Sequence, residues 1–288
     1  MKISIIHPHS TAKWAFGIQW DGLRKALQII GQKHEVQWYL GGDEPEETFE
    51  GWIIPWGVGS LPFNYTIKKY TKARKALLCA GHPQDTANFE KFEAIFVESP
   101  AVARQIVHPK VILAFGADTD FFKPRKTEKM FDVFFPATYS QWKRQDLLFA
   151  ATWNLKTLTC GVVQPDGESV YQGFKKDVTH YTIAGLVPSR LIAQLYNLSH
   201  VVCITAWHGS ERTTLEAMAS NVPLVITRDN ELACSLTNDE AIKVDPESHA
   251  IREGIDESLS KYVNTRNYVL NKYSAERYAE KILEVIEA

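Results

Sequence analysis

Two short segments of this 288-residue chain gather side chains suited to holding an anion. The first is Thr205-Ala206-Trp207-His208-Gly209-Ser210-Glu211-Arg212-Thr213-Thr214-Leu215-Glu216-Ala217-Met218-Ala219, where an apolar run gives way to a glycine-containing loop and a helical pattern begins around Thr213. Unpaired N–H groups at such a helix start, aided by the helix dipole, favour a phosphate. Thr213 and Thr214 can add hydroxyl donors and Arg212 a charge. Glu216, one turn further in, can accept hydrogen bonds from ribose hydroxyls. The plainer alternative is a capped helix with Glu216 on a solvated face. The second segment, Ala137-Thr138-Tyr139-Ser140-Gln141-Trp142-Lys143-Arg144-Gln145-Asp146, sets Lys143 and Arg144 just before a helix, where they can neutralise a diphosphate leaving group. Cations at a helix start meet a positive dipole end, so their placement argues for a ligand.

A third segment, Cys79-Ala80-Gly81-His82-Pro83-Gln84-Asp85, puts His82 at the carboxyl end of a strand, where it can hydrogen-bond a sugar or simply stand exposed. His7 and His9 invite a metal reading, but a site needs three or four ligands and no others cluster nearby in sequence, so no metal is expected. Gly57-Val58-Gly59-Ser60-Leu61-Pro62 begins like a dinucleotide fingerprint, yet Pro62 stands in the third glycine's place. No Walker loop, His-Glu-x-x-His or Gly-x-Ser-x-Gly occurs.

The elements that must position these loops alternate almost throughout. Strands are predicted at 2–6, 35–40, 52–55, 76–79, 94–97 and 111–114, and a helix over 17–30 whose Trp20, Leu23, Leu27 and Ile30 share one face. The segment 116–129 is polar and reads as an exposed linker. A second series follows, with strands at 131–136, 157–163, 181–184, 201–205 and 224–227 and helices at 145–153, 189–196, 213–220 and 275–286. Alternating strands and helices with short connections imply parallel sheets covered on both faces.

Composition sets the outer bounds. Apolar residues are 45% and charged residues 23%, which excludes disordered and fibrous chains. A net charge of -2 excludes a generally polyanion-binding protein. Cys79, Cys160, Cys203 and Cys234 form no Cys-x-x-Cys pair and read as thiols in a reducing compartment. No run approaches the ~18 apolar residues of a membrane span and the first residues are too short an apolar stretch for a signal peptide, so a cytoplasmic location is expected.

Taken together, these residues resemble the retaining GT-B glycosyltransferases of the group 1 family, family 4. His208-Gly209-Ser210-Glu211-Arg212-Thr213-Thr214-Leu215-Glu216-Ala217-Met218-Ala219-Ser220-Asn221-Val222-Pro223-Leu224-Val225 is similar to the family's E-G-x-P-R-x-x-L-E-A-M-A-x-G-x-P-V-V. Gly116-Ala117-Asp118-Thr119-Asp120-Phe121-Phe122-Lys123-Pro124 looks like its N-G-V-D-x-x-x-F-x-P. The resemblance implies an α/β GT-B fold of two Rossmann-like domains with parallel sheets facing a central cleft. A short acceptor domain would occupy 1–118 and a nucleotide-sugar domain 119–288, with the final helix 275–288 free to pack back toward the first. It further implies transfer of a sugar from a UDP- or GDP-type nucleotide-sugar to an acceptor hydroxyl on a glycan, glycolipid or modified nucleic-acid base, with no cofactor and no metal.

Carried over by residue, the resemblance gives Glu216 the donor ribose and Lys143, with Arg144, the diphosphate. The segment Gly209, Ser210, Arg212, Thr213 and Thr214 would face the phosphates. Gly185, Leu186 and Val187 would meet the base, Gly17 would allow close approach, and His82 would lie beside the transferred sugar. Two residues depart from the pattern: His208 replaces a glutamate that contacts the donor sugar, and Thr138 replaces an arginine. They leave open a degenerate GT-B protein that binds a nucleotide or a partner without transferring sugar. Lys68, Lys69, Lys72, Arg74 and Lys75 form a basic stretch that can meet a membrane or nucleic acid, or be a solvated helix face.

Overall fold

The computed structural model describes residues 1–7, 20–57, 61–79, 81–83, 88–177, 179–209, 211–260 and 264–288. Two compact units emerge, one from Met1–Gly116 with Tyr273–Ala288, the other from Ala117–Lys272. In the first, β1 (Lys2–His7), β2 (Glu35–Leu40), β3 (Trp52–Gly57), β4 (Arg74–Cys79), β5 (Ala94–Val97) and β6 (Val111–Leu113) form a parallel sheet in the order β2-β1-β3-β4-β5-β6. The central strand β3 is buried along its whole length and is correspondingly apolar from end to end, as a strand covered on both faces must be.

Three helices accompany these strands: α1 (Trp20–Ile30), α2 (Leu61–Lys69) and α3 (Pro100–Gln105). Leu23, Leu27 and Ile30 of α1 pack on Ile3, Ile5, Trp52 and Ile54, in the helical spacing read from the sequence. The helix Ala275–Ile286 joins the same core through Tyr278, Ile282 and Ile286. Ser274 caps it by accepting from Arg277 N at 3.4 Å, and Trp52 Nε1 donates to Ile286 O at 3.2 Å. The chain's last segment therefore belongs to the first unit.

The second unit begins with β7 (Phe131–Pro136), α4 (Gln145–Ala151), β8 (Thr157–Cys160), α5 (Glu168–Lys176) and β9 (Tyr181–Ile183). It continues with α6 (Ser189–Asn197), β10 (Ser199–Ile204), α7 (Glu211–Ala219), β11 (Leu224–Thr227), β12 (Ile242–Val244), α8 (Ser248–Ser260) and α9 (Arg266–Lys272). Its parallel sheet runs β12-β11-β10-β7-β8-β9, so the chain builds outward from β7 to β9, then crosses back and builds the other way. Val133, Phe134, Val201, Val202, Val225 and Ile226 are fully buried along its centre.

Three local expectations need correction. The strand predicted over 157–163 stops at Cys160, because the chain turns at Gly161 to give its N–H to Gly185 O at 2.7 Å. The helix predicted from Thr213 starts two residues earlier, at Glu211. The exposed linker is only half exposed: Phe122 is buried, and Arg266 donates to Phe122 O and Thr119 O, each at 3.0 Å. Residues 123–130 are exposed, with Asn197 accepting from Arg125 N at 2.6 Å and donating to Lys123 O at 3.1 Å.

Candidate functional site

In a parallel α/β sheet, ligands collect beyond the carboxyl ends of the strands where the strand order reverses. In the second unit that point lies between β7 and β10. The loops leaving these two strands are the two anion-binding candidates of the sequence, and they are tied together. Thr205 Oγ1 donates to Lys143 O at 2.8 Å, and Trp207 N to Trp142 O at 3.3 Å. Lys143 Nζ donates to Gly209 O and, at 3.2 Å, to His208 O. Gly209 is left-handed (φ 66), and a Cβ there would lie 3.3 Å from Lys143 Nζ, so a side chain would crowd the ammonium.

Burial governs the electrostatics. Only 7% of Lys143 is exposed, and desolvation pushes its ammonium down to about 8; Arg212 acts in the same direction, while Glu211 and Glu231 oppose it. Glu211, the first residue of α7, is pushed up to about 7 by burial, by a hydrogen bond with the Glu231 carboxyl and by that group's charge; its own N–H and Lys143 pull the other way. A buried cation thus sits among two carboxyls at a helix start. Neither Glu211 nor Glu231 was singled out in the sequence. Glu211 reads there as an ordinary acidic residue of a first helical turn, and Glu231 reaches the site only through the sheet, its N–H donating to Trp207 O at 3.2 Å.

Glu216 is 1% exposed, which removes the reading of it as a solvated-face residue. Tyr196 OH lies 3.3 Å from Glu216 Oε2 and donates to Thr213 O at 3.0 Å, linking α6 to the first turns of α7. Burial, then the Glu216 charge, holds the Tyr196 phenol far above its usual range. Thr214 is buried, and Arg212 and Thr213 are half-buried. Beyond β9, Gly185 is left-handed (φ 61), Leu186 is exposed and Val187 buried. Gly17 and Ser210 lie outside the described residues. His82 belongs to the first unit, where its Nδ1–H donates to Gln105 Oε1 at 2.9 Å. Thr138, in the loop after β7, accepts from Gln145 Nε2 through its carbonyl at 2.7 Å.

Beside the anion loops opens a hollow of about 750 Å³, lined by Gln141, Trp142, Arg144, Asp146, Trp207, His208 and Asp229. Arg144 takes a left-handed backbone (φ 51), unusual for a side chain of its size, where the turn Gln141–Lys143 meets α4. Its guanidinium pairs with Asp229 at 2.7 Å.

The other candidates separate from this cluster. His7 stacks on Trp56 with ring centroids 4.3 Å apart, and His9 lies outside the described residues. Among the described residues no group of three or more His, Cys, Asp or Glu stands close enough to hold a metal ion. Nor is any described helix long and apolar enough to cross a membrane. In the basic stretch Lys69 pairs with Glu44, Arg74 with Glu93 at 2.6 Å, and Lys75 Nζ donates to Ala73 O at 2.8 Å, while Lys68 and Lys72 are exposed. Cys79, Cys160 and Cys203 are buried and Cys234 is exposed, all as free thiols.

No protein-family model matches the sequence, and no curated protein matches it either. Solved structures do. A glycosyltransferase from Rickettsia africae superposes with a TM-score of 0.67 at 16% identity, over 97% of this chain and 83% of that one. Anabaena HepE in complex with UDP gives 0.73 at 12% identity over 100% of both chains. AviGT4, a glycosyltransferase involved in avilamycin A biosynthesis, gives 0.71 at 13% identity over 99% of this chain and 97% of that one. Two Rossmann-like units with these strand orders, matched over 97% or more of this chain, establish that it has the GT-B fold.

Proposed function

We propose that the chain is a retaining glycosyltransferase of the family 4 type, moving a sugar from a UDP- or GDP-type nucleotide-sugar to an acceptor hydroxyl without a metal. One observation carries the reading: a buried ammonium, Lys143, meets the start of α7 at the switch point of the second sheet. Desolvating a lysine is unfavourable unless something repays it, and a bound diphosphate does so. As the bond between the anomeric carbon and the diphosphate oxygen breaks, its electron pair goes to the phosphate. Lys143, Arg144 and the N–H groups of α7 hold that charge. The acceptor hydroxyl then bonds to the anomeric carbon from the departing side, and its proton passes to a phosphate oxygen.

In this scheme Glu216, positioned by Tyr196, accepts the ribose hydroxyls, and the backbone of 185–187 meets the base. Arg212, Thr213 and Thr214 line the phosphates; His208 and His82 lie beside the sugar, and Gly17 leaves room for close approach. The acceptor is a glycan, a lipid-linked sugar or a modified base. A GT-B protein that binds a nucleotide or a partner without transfer is the second reading, favoured by His208 and Thr138, which stand where the family pattern has a glutamate and an arginine.

The test is a thermal-shift panel of UDP, GDP, ADP, CMP and dTDP with their common sugar conjugates, UDP first because the HepE structure holds it. A ligand at about 100 times its Kd adds roughly 2.7 kcal/mol, several degrees of midpoint for a domain of this size. The expected result is a shift with one nucleotide, reduced in Glu216→Ala and Lys143→Ala. Slow release of nucleotide from its sugar conjugate would separate the transferase from the binder. No shift with any nucleotide sinks the transferase reading and leaves the degenerate scaffold that binds a partner.

A further inference from the structure

In the first unit, the crossover from β2 to β3 is made by residues 41–51, none of them helical, although parallel strands are usually joined through a helix. β1 lies between those two strands. Its Ile3 and Ile5 pack with α1 and the helix Ala275–Ile286, so strand alternation turns Ser4 to the opposite face. Gln37 is the register partner of Ser4, and Glu35 that of Lys2. Where a crossover helix would have covered this face, a hollow of about 610 Å³ opens, closed on its far side by Pro45, Thr48 and Phe49 of the connection. The connection is firmly held. Pro45 is buried, Glu44 accepts from Lys69 and, at 3.1 Å, from Tyr70 OH, and Phe49 packs against Ile53 and Tyr70. A Cβ at Gly51 would lie 2.5 Å from Lys2 O, so the loop meets β1 more closely than a side chain allows.

Ser4 lines this hollow and is 0% exposed, yet its Oγ has no hydrogen-bond partner. Buried hydroxyls are ordinarily paired, so this one is a group that a ligand can satisfy. Charge selects the ligand. Glu35, Glu46 and Glu50 line the hollow with Lys2; all four are exposed, and among the described residues none has a side-chain hydrogen bond or ion pair. Three carboxylates against one ammonium leave two negative charges unmatched. Among the described residues no three His, Cys, Asp or Glu stand close enough to hold a metal ion, which points to a cation longer than a single atom. Tyr39 and Phe49 supply aromatic faces for methylenes and ammonium groups. The volume falls within the ~300–1,000 Å³ typical of small-molecule sites. We propose that this hollow binds a linear aliphatic diamine, its ammonium groups held by Glu35 from β2 and by Glu46 and Glu50 from the connection. Ser4 Oγ accepts from one ammonium, and the methylene chain lies against the rings of Tyr39 and Phe49. The site belongs wholly to the first unit and does not depend on the glycosyltransferase reading.

Calorimetry of the intact protein with putrescine tests it, with butylamine, butanediol and Mg²⁺ as comparators at matched ionic strength. Putrescine should bind at least tenfold more tightly than butylamine, butanediol should give no response, and added salt should weaken the diamine. Glu46→Gln combined with Glu50→Gln should cost at least tenfold in putrescine affinity. Ser4→Ala should cost about tenfold, since hydrogen bonds to charged groups are the stronger ones, and should leave the unliganded melting midpoint unchanged or raised. If Ser4→Ala instead lowers that midpoint, the double glutamine variant decides, because both substituted side chains are exposed. No response to putrescine, or a response indifferent to the double variant, overturns the proposal. So does a Ser4→Ala protein of unchanged midpoint that binds putrescine as the wild type does. Mg²⁺ binding as tight as putrescine would overturn it too, as the mark of a diffuse acidic surface.

Discussion

Two basic segments of this chain look alike in sequence and behave oppositely in the fold. Lys143 and Arg144 sit at the switch point of the second sheet; Lys68, Lys69, Lys72, Arg74 and Lys75 cluster in the first unit and carry more charge. Yet the larger cluster is internally settled. Glu44 accepts from Lys69 and, at 3.1 Å each, from Tyr65 OH and Tyr70 OH, and Arg74 grips Glu93 while lying 4.2 Å over the Trp52 ring. Hydrogen bonding to Glu44 raises the Lys69 ammonium above its ordinary range, whereas burial drives Lys143 below it. Charge count therefore does not locate an anion site. A cation that burial drives below its ordinary range is the better marker of a candidate site.

The sharpest way to break this contrast is Lys143→Met. Removing a charge aimed at a developing phosphate charge should lower transfer by about 10²–10³-fold. Stability should move by no more than about 1 kcal/mol, because loss of the hydrogen bonds to His208 O and Gly209 O is offset by relief of a buried ammonium. Steady-state rates and urea melts on the same preparations decide it. A variant that loses several kcal/mol of stability would make Lys143 a structural residue.

A smaller effect of the same origin appears with pH. Unfolded, Lys143 keeps its proton to 10.5; folded, it releases it near 8. Between those values the unfolded chain binds more protons, so this group makes stability rise with pH across the window and withdraws that contribution as pH falls through 8. A nucleotide needs the charged form. Its affinity should therefore fall by up to about tenfold per unit above pH 8 in the wild type, and stay flat in Lys143→Met. Calorimetry at pH 7, 8 and 9 measures it, and parallel slopes for the two proteins would place the titration elsewhere.

What the sequence disclosed follows from where the information lies. The strands 131–136 and 224–227 are contiguous apolar runs, and both anion loops carry their chemistry within a dozen consecutive residues, so local reading found them. The carboxyl pair Glu211–Glu231, the Arg144–Asp229 bridge and the Tyr196–Glu216 contact join residues far apart in the chain, brought together by strand order, and no spacing announces them. Helix α8 was hidden for another reason: its buried face includes Gly254 and Ser258, so apolar periodicity is weak. The cause is close packing, since a Cβ at Gly254 would lie 2.6 Å from a Val244 methyl. Phe122 misled in the opposite direction, an aromatic anchor inside a segment whose composition says linker.

The mildest expected change is in the first unit, with Lys68→Ala and Lys72→Ala combined. Both residues are exposed, and removing exposed charges moves stability little, so the midpoint should shift by about 1 °C or less and the nucleotide response should not change. The more telling readout is sedimentation with vesicles of phosphatidylcholine and 30% phosphatidylserine, a composition chosen as roughly one anionic lipid in three. With Lys69, Arg74 and Lys75 already engaged by carboxylates or a backbone carbonyl, two exposed lysines supply only about 1 kcal/mol each at an anionic surface, and only within a Debye length. Wild type and double variant should therefore remain alike in the supernatant at about 150 mM salt, near physiological ionic strength. Capture of the wild type, lost in the double variant and weakened by salt, would show that pairing inside the cluster does not silence it, and would restore charge count as a guide to this fold's anionic partners.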